Sequence, residues 1–322
     1  MKNRVCEALG IKYPIIQGAM AWTSYPSLVI AVSEAGGLGV LGSGFVPPEI
    51  LREQIREVKK GTDKPFAANI FMMPNLLESN GPVLVEEKVP VIYVDILANL
   101  DIGLARKYFD IWHDNGSKIV FKASFISDAV KAQEAGADVI IVKGWEGGGH
   151  VTEETTMVLV PQAADVIHKP LVASGGICDG RGMAAGIVLG ADGIEMGSAF
   201  MLAKECDIKD NAKEEIMKCQ DMETDIVGMC TGEPCRQIRN DLSRRLNEIE
   251  AGHVRKEAIE IFRKESEGSL RKGVREGDIQ NGAVMIGQIV PLLREIRTAE
   301  EIIESTIREC TEILSKEISL GL

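Results

Sequence analysis

LVASGGICDGRGMAAGIVLGADGIEMGS, residues 171–198, is the stretch whose reading decides the fold. An apolar run, Leu171–Ser174, ends on Gly175 and Gly176. A helix over Arg181–Leu189 follows, opened by Asp179 and stopped by Gly190. A second apolar run, Gly193–Gly197, then ends on Gly197 and Ser198. Strands that read as continuous apolar runs, joined through a helix, are the parallel strand–helix–strand unit buried on both faces.

The same unit recurs outward from this segment. Strands are expected at Pro14–Gly18, Leu38–Ser43, Phe66–Phe71, Val91–Asp95, Lys118–Ala123 and Val139–Lys143. Helices are expected between them, including Leu104–His113 behind Asn99 or Asp101, and Ala129–Ala135 behind Ser127 or Asp128 with Gly136 as its stop. Eight such units predict an α/β chain folded as a (β/α)8 TIM barrel. A doubly wound open sheet, the structural alternative, usually has fewer strands and a phosphate loop after its first. Gly37, Gly39 and Gly42 do satisfy G-x-G-x-x-G, but they overlap a strand, and Lys59 and Lys60 stand where the acidic residue belongs. The dinucleotide reading is rejected in favour of a close-packed helix–strand turn.

The pattern stops near Ala203. Residues 204–277 read as charged and helical, with helices over Lys213–Gln220, Cys235–Glu250 and Arg255–Lys264. The expected organisation is a barrel over 1–203 and 278–322 and a smaller helical cap over 204–277. A final amphipathic helix, Ala299–Lys316, is expected to return to the barrel wall.

Composition bounds the function. Glycine is 33 of 322 residues, about 10% against the usual ~7%, with no G-X-Y period. A net charge of −12, from 36 basic and 48 acidic residues, argues against nucleic acid as a partner. The seven cysteines have no C-x-x-C pair, and Cys230 and Cys235 lack a second half-site for zinc, so no metal is expected. No signal peptide and no membrane span is read, which predicts a cytoplasmic protein.

Much of the glycine falls at strand ends. Gly175 and Gly176, then Gly197, follow consecutive strands where barrels often bind phosphate. There a missing Cβ lets backbone N–H groups approach an anion. The remaining cluster is Gly144-Trp145-Glu146-Gly147-Gly148-Gly149-His150. Of four histidines, His113 and His168 sit near helix ends and His253 lies in the charged region. His150 follows three glycines at the expected active-site rim, and imidazole can donate a proton or a hydrogen bond near neutral pH. It is the catalytic candidate.

This loop, with Thr155-Thr156-Met157, resembles the G-x-E-A-G-G-H loop of the nitronate monooxygenase and FMN-dependent enoyl-acyl-carrier-protein reductase (type II) superfamily. So do Pro14 to Met20, Ala35 to Gly39, Asn69 within Ala67 to Ile70, Ser174 to Ile177, and Met196 to Ser198. The resemblance covers nearly the whole chain. Thr155–Met157 and Ala283–Gln288 are more similar to the enoyl reductase branch. Two positions depart from the loop: Gly147 replaces alanine, and Thr152 replaces the glycine two after the histidine.

The resemblance implies an FMN-bearing barrel with NADH or NADPH as co-substrate. Ala19, Met20 and Asn69 are expected by the flavin ring. Lys122, Glu146, Gly148 and Gly149 are expected along the flavin and its ribityl chain. Ser174, Gly175, Gly176, Met196, Gly197 and Ser198 are expected about the phosphate. The implied reaction is reduction of the 2,3-double bond of a trans-2-enoyl thioester. Nitronate oxidation and NAD(P)H:quinone reduction are alternatives on the same fold, and a non-catalytic phosphate-ligand barrel is a further one. An inosinate-dehydrogenase type needs a loop thiol, and Cys178, directly after the phosphate turn, reads instead as a packed thiol. The expected partner is a small-molecule or carrier-bound acyl substrate, with acyl carrier protein and a homodimer left open. A basic stretch, Arg236, Arg239, Arg244 and Arg245, reads as a carrier-docking face or as a solvated helix face balanced by Asp241 and Glu248.

Overall fold

The computed structural model describes residues 3–316. Eight parallel strands carry the chain: β1 (Ile15–Gln17), β2 (Gly39–Leu41), β3 (Phe66–Phe71), β4 (Val91–Asp95), β5 (Lys118–Ala123), β6 (Val139–Lys143), β8 (Leu171–Ser174) and β9 (Gly193–Met196). They pair in the order β1-β9-β8-β6-β5-β4-β3-β2. Gln17 N–H donates to Leu38 O (2.9 Å) and Leu38 N–H to Ile15 O (2.9 Å), which joins the first strand to the second and closes the ring. The fold is a (β/α)8 TIM barrel, as the eight apolar runs predict. The strand ends at β1, β2 and β9 are one or two residues shorter than expected.

Period-two alternation divides the strands between two cores. Leu38, Val40, Ala67, Val91, Tyr93, Val120, Val139, Ile141 and Val172 face inward, and the helix Arg4–Leu9 closes one end with Val5 and Leu9. Ile92, Val94, Ile119, Phe121, Ile140 and Val142 face outward under the helices. One step further along the inward face stand Asn69, Asp95, Lys122, Lys143 and Ser174. The apolar interior therefore ends in a polar layer at the C-terminal mouth, where barrels carry their sites.

Several local expectations need correction. The helix predicted at Ala129 begins at Ile126, and neither Ser127 nor Asp128 caps it. Asp128 is buried inside that helix and accepts from Leu100 N–H (3.0 Å), tying down the preceding loop. Of Asn99 and Asp101, Asp101 is the cap, accepting from Gly103 and Leu104 N–H. The helix predicted over Cys235–Glu250 is split. Cys235–Ile238 is a strand, and Asn240 opens a helix over Asp241–Gly252 through a capping box with Ser243.

The region 204–277 is thus mixed rather than helical. It contains β10 (Thr224–Val227) and β11 (Cys235–Ile238) as an antiparallel pair. Their third partner is β7 (Gly149–His150), which comes from the barrel's histidine loop. The β-branched residues Thr224, Ile226 and Val227, bounded by Gly228, carried the missed strand signal. The last helix, Ala299–Leu314, packs on the helices Gly180–Val188 and Pro26–Glu34, returning to the barrel wall as expected. Among the described residues, no helix is long and apolar enough to cross a membrane.

Candidate active site

A cavity of about 1020 Å³ opens at the C-terminal mouth of the barrel. Ligand pockets usually span ~300–1,000 Å³, so there is room for a cofactor and a substrate together. Ala19, Met20, Asn69, Lys122, Glu146, Gly148, Gly149, His150, Ser174, Gly175, Gly176, Gly197 and Ser198 all border it. Of the expected site residues only Met196 is absent from the wall. Its side chain is buried in the outer core, and its carbonyl accepts from Gly18 N–H at 3.0 Å. Met196 faces outward because it follows Glu195, which faces in.

The two glycine turns form an anion cradle. Gly175 (φ 99°) and Gly176 (φ 70°) occupy the left-handed region that favours glycine. A Cβ on Gly175 would stand 2.9 Å from Gly144 O. Among the described residues, the N–H groups of Gly175, Gly176 and Gly197 have no acceptor within the protein. Ser198 Oγ accepts from Gly287 N–H at 3.0 Å, which leaves its own proton to donate. Converging N–H and hydroxyl donors with no carboxylate of their own suit a phosphate. The residues present therefore fit the phosphate end of FMN.

The floor is a buried polar cluster in which Asn69 and Lys122 were expected and Tyr93, Asp95, Lys143 and Glu195 were not. Lys122 Nζ lies 3.1 Å from Asp95 Oδ1, and Asn69 Nδ2 donates to Asp95 Oδ2 at 2.9 Å. Tyr93 donates to one oxygen of Glu195, and Ser174 Oγ donates to the other at 2.7 Å. Burial pushes the Tyr93 phenol far up, so it remains a donor. Burial also raises Asp95 and opposes the charge on Lys122, whereas the carboxylates of Asp95 and Glu195 outweigh burial at Lys122 and hold it protonated. The two tendencies conflict, and the 3.1 Å contact, backed by Asn69, favours the charged pair. Lys143 has no such carboxylate contact. Burial, then the neighbouring charge of Lys122, pulls it down to about 8.

Lys143 instead donates to the carbonyls of Gly148 (2.6 Å) and His150 (2.7 Å). His150 projects at the cavity rim. Desolvation in the mouth, then the positive charges of Lys143 and Lys122, press its pKa down to about 4. The ring keeps some solvent access, and desolvation first, then the two ammonium charges, favour its neutral form. Glu146 borders the cavity and is also engaged within the protein. Its carboxylate accepts from Thr156 N–H (2.9 Å) and Thr156 Oγ1 (2.8 Å), pinning the start of the helix Thr156–Val166. Gly148 is glycine because the backbone of Ile286 presses on it, with a Cβ position 2.6 Å from Ile286 C.

Apolar side chains also line the wall. Phe45 stacks on Phe71 with centroids 4.5 Å apart, and Ile96, Leu97, Phe125 and Met201 also border the cavity. Trp22, at φ 60°, holds a left-handed conformation rare for a bulky residue, and it borders the cavity. Cys178 is buried, and burial pushes its thiol up to about 12, a packed and unreactive sulfur. The basic stretch is already matched. Arg239 pairs with Asp225, Arg244 with Asp241 and Arg245 with Glu265. Arg236 is buried on β11 beneath Trp145.

The family model described as nitronate monooxygenase matches residues 2–87 and 82–309. A probable nitronate monooxygenase of Staphylococcus saprophyticus is 31% identical over 98% of this chain and 99% of that protein. A (3aS,4S,5R,7aS)-5-hydroxy-7a-methyl-1-oxo-octahydro-1H-indene-4-carboxyl-CoA dehydrogenase of Rhodococcus jostii is 28% identical over 96% of each. FabK from Thermotoga maritima superposes with a TM-score of 0.91 at 38% identity, covering 98% of this chain and 97% of that one.

Proposed function

The chain belongs to the nitronate monooxygenase family, and within it we propose an FMN-dependent oxidoreductase that reduces the 2,3-double bond of trans-2-enoyl thioesters with NADH or NADPH. The observation that carries this reading is the seat of Ala283–Gln288, the stretch that resembles the enoyl reductase branch. Gly287 N–H donates to Ser198 Oγ (3.0 Å) and Gln288 N–H to Glu146 O (2.8 Å). That stretch therefore spans the phosphate turn and the histidine loop, and forms part of the wall that meets substrate. The likeness to FabK and to a CoA-thioester dehydrogenase supports the same branch.

When bound, FMN supplies hydride chemistry between a nicotinamide and the substrate's β-carbon. The chain's own residues do the rest. The N–H groups of Gly175, Gly176 and Gly197 and the Ser198 hydroxyl hold the phosphate. Phe45, Phe71, Ile96 and Phe125 take the acyl chain and exclude water. As the β-carbon gains hydride, negative charge builds on the thioester oxygen. His150, a neutral imidazole with a pKa near 4, acts as hydrogen-bond donor to that oxygen before a proton reaches the α-carbon.

Nitronate oxidation is the second reading, favoured by the names of the Staphylococcus relatives. Acyl carrier protein remains within the proposal as one carrier of the thioester. The deciding experiment is anaerobic incubation of the FMN-loaded protein with crotonyl thioester and NADH or NADPH. Saturated thioester supports the reading, and its absence sinks it.

A further inference from the structure

We propose that Lys143 is the positioning residue of the histidine loop, clamping the carbonyls of Gly148 and His150 with one ammonium group, and that residue 147 is glycine because the Lys143 stem fills the space of a methyl. The proposal rests on the reading of His150 as the group that meets substrate.

The geometry is local and closed. Lys143 ends β6, and the loop that leaves β6 folds back over it. The two bonds, 2.6 Å to Gly148 O and 2.7 Å to His150 O, use two of the three ammonium protons. They reach the residue before the loop's strand and the residue that carries the imidazole. From the opposite side, β11 pairs Arg236 with Gly149 and Cys235 with His150. Arg236 also donates to Trp145 O (3.2 Å), with its guanidinium 5.0 Å from the Trp145 ring. The loop is thus strapped by the cap on one face and by Lys143 on the other.

Gly147 gives independent support. Gly147 is not among the left-handed residues, so its backbone does not call for glycine. Yet a Cβ there would stand 2.3 Å from Lys143 Cε and 3.3 Å from Nζ. The loop it resembles carries alanine at this position. The departure at 147 is therefore explained by the lysine at 143.

The charged and titratable groups facing Lys143 are Lys122 on β5, Asp95 on β4, Glu195 on β9 and Cys235 on β11. Burial pushes the Cys235 thiol up to about 12, which leaves it uncharged. Lys122 and Lys143 are the charges facing His150. Removing Lys143 therefore both loosens the loop and makes the imidazole easier to protonate.

The test is an NMR pH titration of the histidine rings in the FMN-loaded protein. There are four histidines, and H150Q identifies the signal. Wild type, K143R, K143Q and G147A are compared. G147A displaces the lysine stem without altering the lysine. We expect the His150 midpoint to rise by about one pH unit, tenfold in protonation constant, in K143Q and in G147A, and to stay low in K143R. An unchanged midpoint in both K143Q and G147A overturns the proposal. If K143Q fails to fold, by circular dichroism and flavin content, G147A decides alone. The titration needs no substrate, so a clamp that fails is distinguishable from a protein that does not reduce enoyl thioesters.

Discussion

Asp95 and Lys122 meet across β4 and β5 with Oδ1 and Nζ 3.1 Å apart, both largely hidden from solvent. Each stands two residues beyond an inward apolar residue, Tyr93 and Val120. The pair therefore forms part of the barrel's inner layer. Removing one partner leaves the other charge stranded, which costs about 3–5 kcal/mol, whereas replacing both with apolar groups is often neutral. D95A should lower the urea-unfolding free energy by that amount. The double variant D95L/K122M should recover most of the loss. Additive losses would show that the two residues act separately.

The phosphate cradle predicts a separation of binding from folding. Gly197 has an ordinary backbone conformation, and a Cβ there meets Met20 Sδ at 3.6 Å, an ordinary contact. G197A should keep the melting temperature near that of wild type. Its methyl intrudes beside the free N–H groups, so FMN affinity should fall about tenfold, ~1.4 kcal/mol. Equal affinity in a fluorescence titration would remove Gly197 from the cradle.

His150 links folding to acid. Its folded pKa, about 4, lies below its ordinary value of 6.5. The unfolded chain therefore binds the extra proton first as pH falls. The stability associated with the neutral ring is present above 6.5 and is lost as pH drops toward 4. H150Q should lose less stability than wild type across that window in chemical denaturation. Parallel losses would mean that the ring titrates alike in both states.

Lys143 has the opposite consequence for activity and stability at alkaline pH. Its folded pKa is about 8, against an ordinary 10.5. The unfolded chain thus holds more protons between these values, so the contribution of Lys143 to stability rises over pH 8 to 10.5. Over the same range the ammonium loses the charge that clamps the loop, and kcat should fall above pH 8. K143R stays charged and should lack that limb. A limb retained in K143R would assign it to another group.

Much of this was legible in the chain. Val139–Val142 is apolar at every position, and eight near-continuous apolar runs with helices between imply a parallel barrel. Gly175, Gly176 and Gly197 could be placed by strand ends alone. The charged floor could have been read by counting in twos. Asp95, Lys122 and Lys143 each interrupt or end an apolar strand on its inward face, a pattern that marks a barrel mouth. What was not legible depends on contacts far apart in sequence. Cys235–Ile238 reads as helix from its charged surroundings and becomes a strand because β7 and β10 flank it. Glu146 reads as a flavin contact, and the bonds that tie its carboxylate to the helix start at Thr156 are visible only in the fold. The basic stretch at Arg239, Arg244 and Arg245 reads as either a docking face or a solvated face, and its pairing with Asp225, Asp241 and Glu265 is visible only in the fold.

The most direct test of the proposed reaction is an anaerobic absorbance titration of the purified flavoprotein. NADH or NADPH should bleach the oxidised flavin bands, and one equivalent of crotonyl thioester should restore them with release of saturated product. Flavin that neither nicotinamide bleaches, but that a nitronate reduces, would contradict the account.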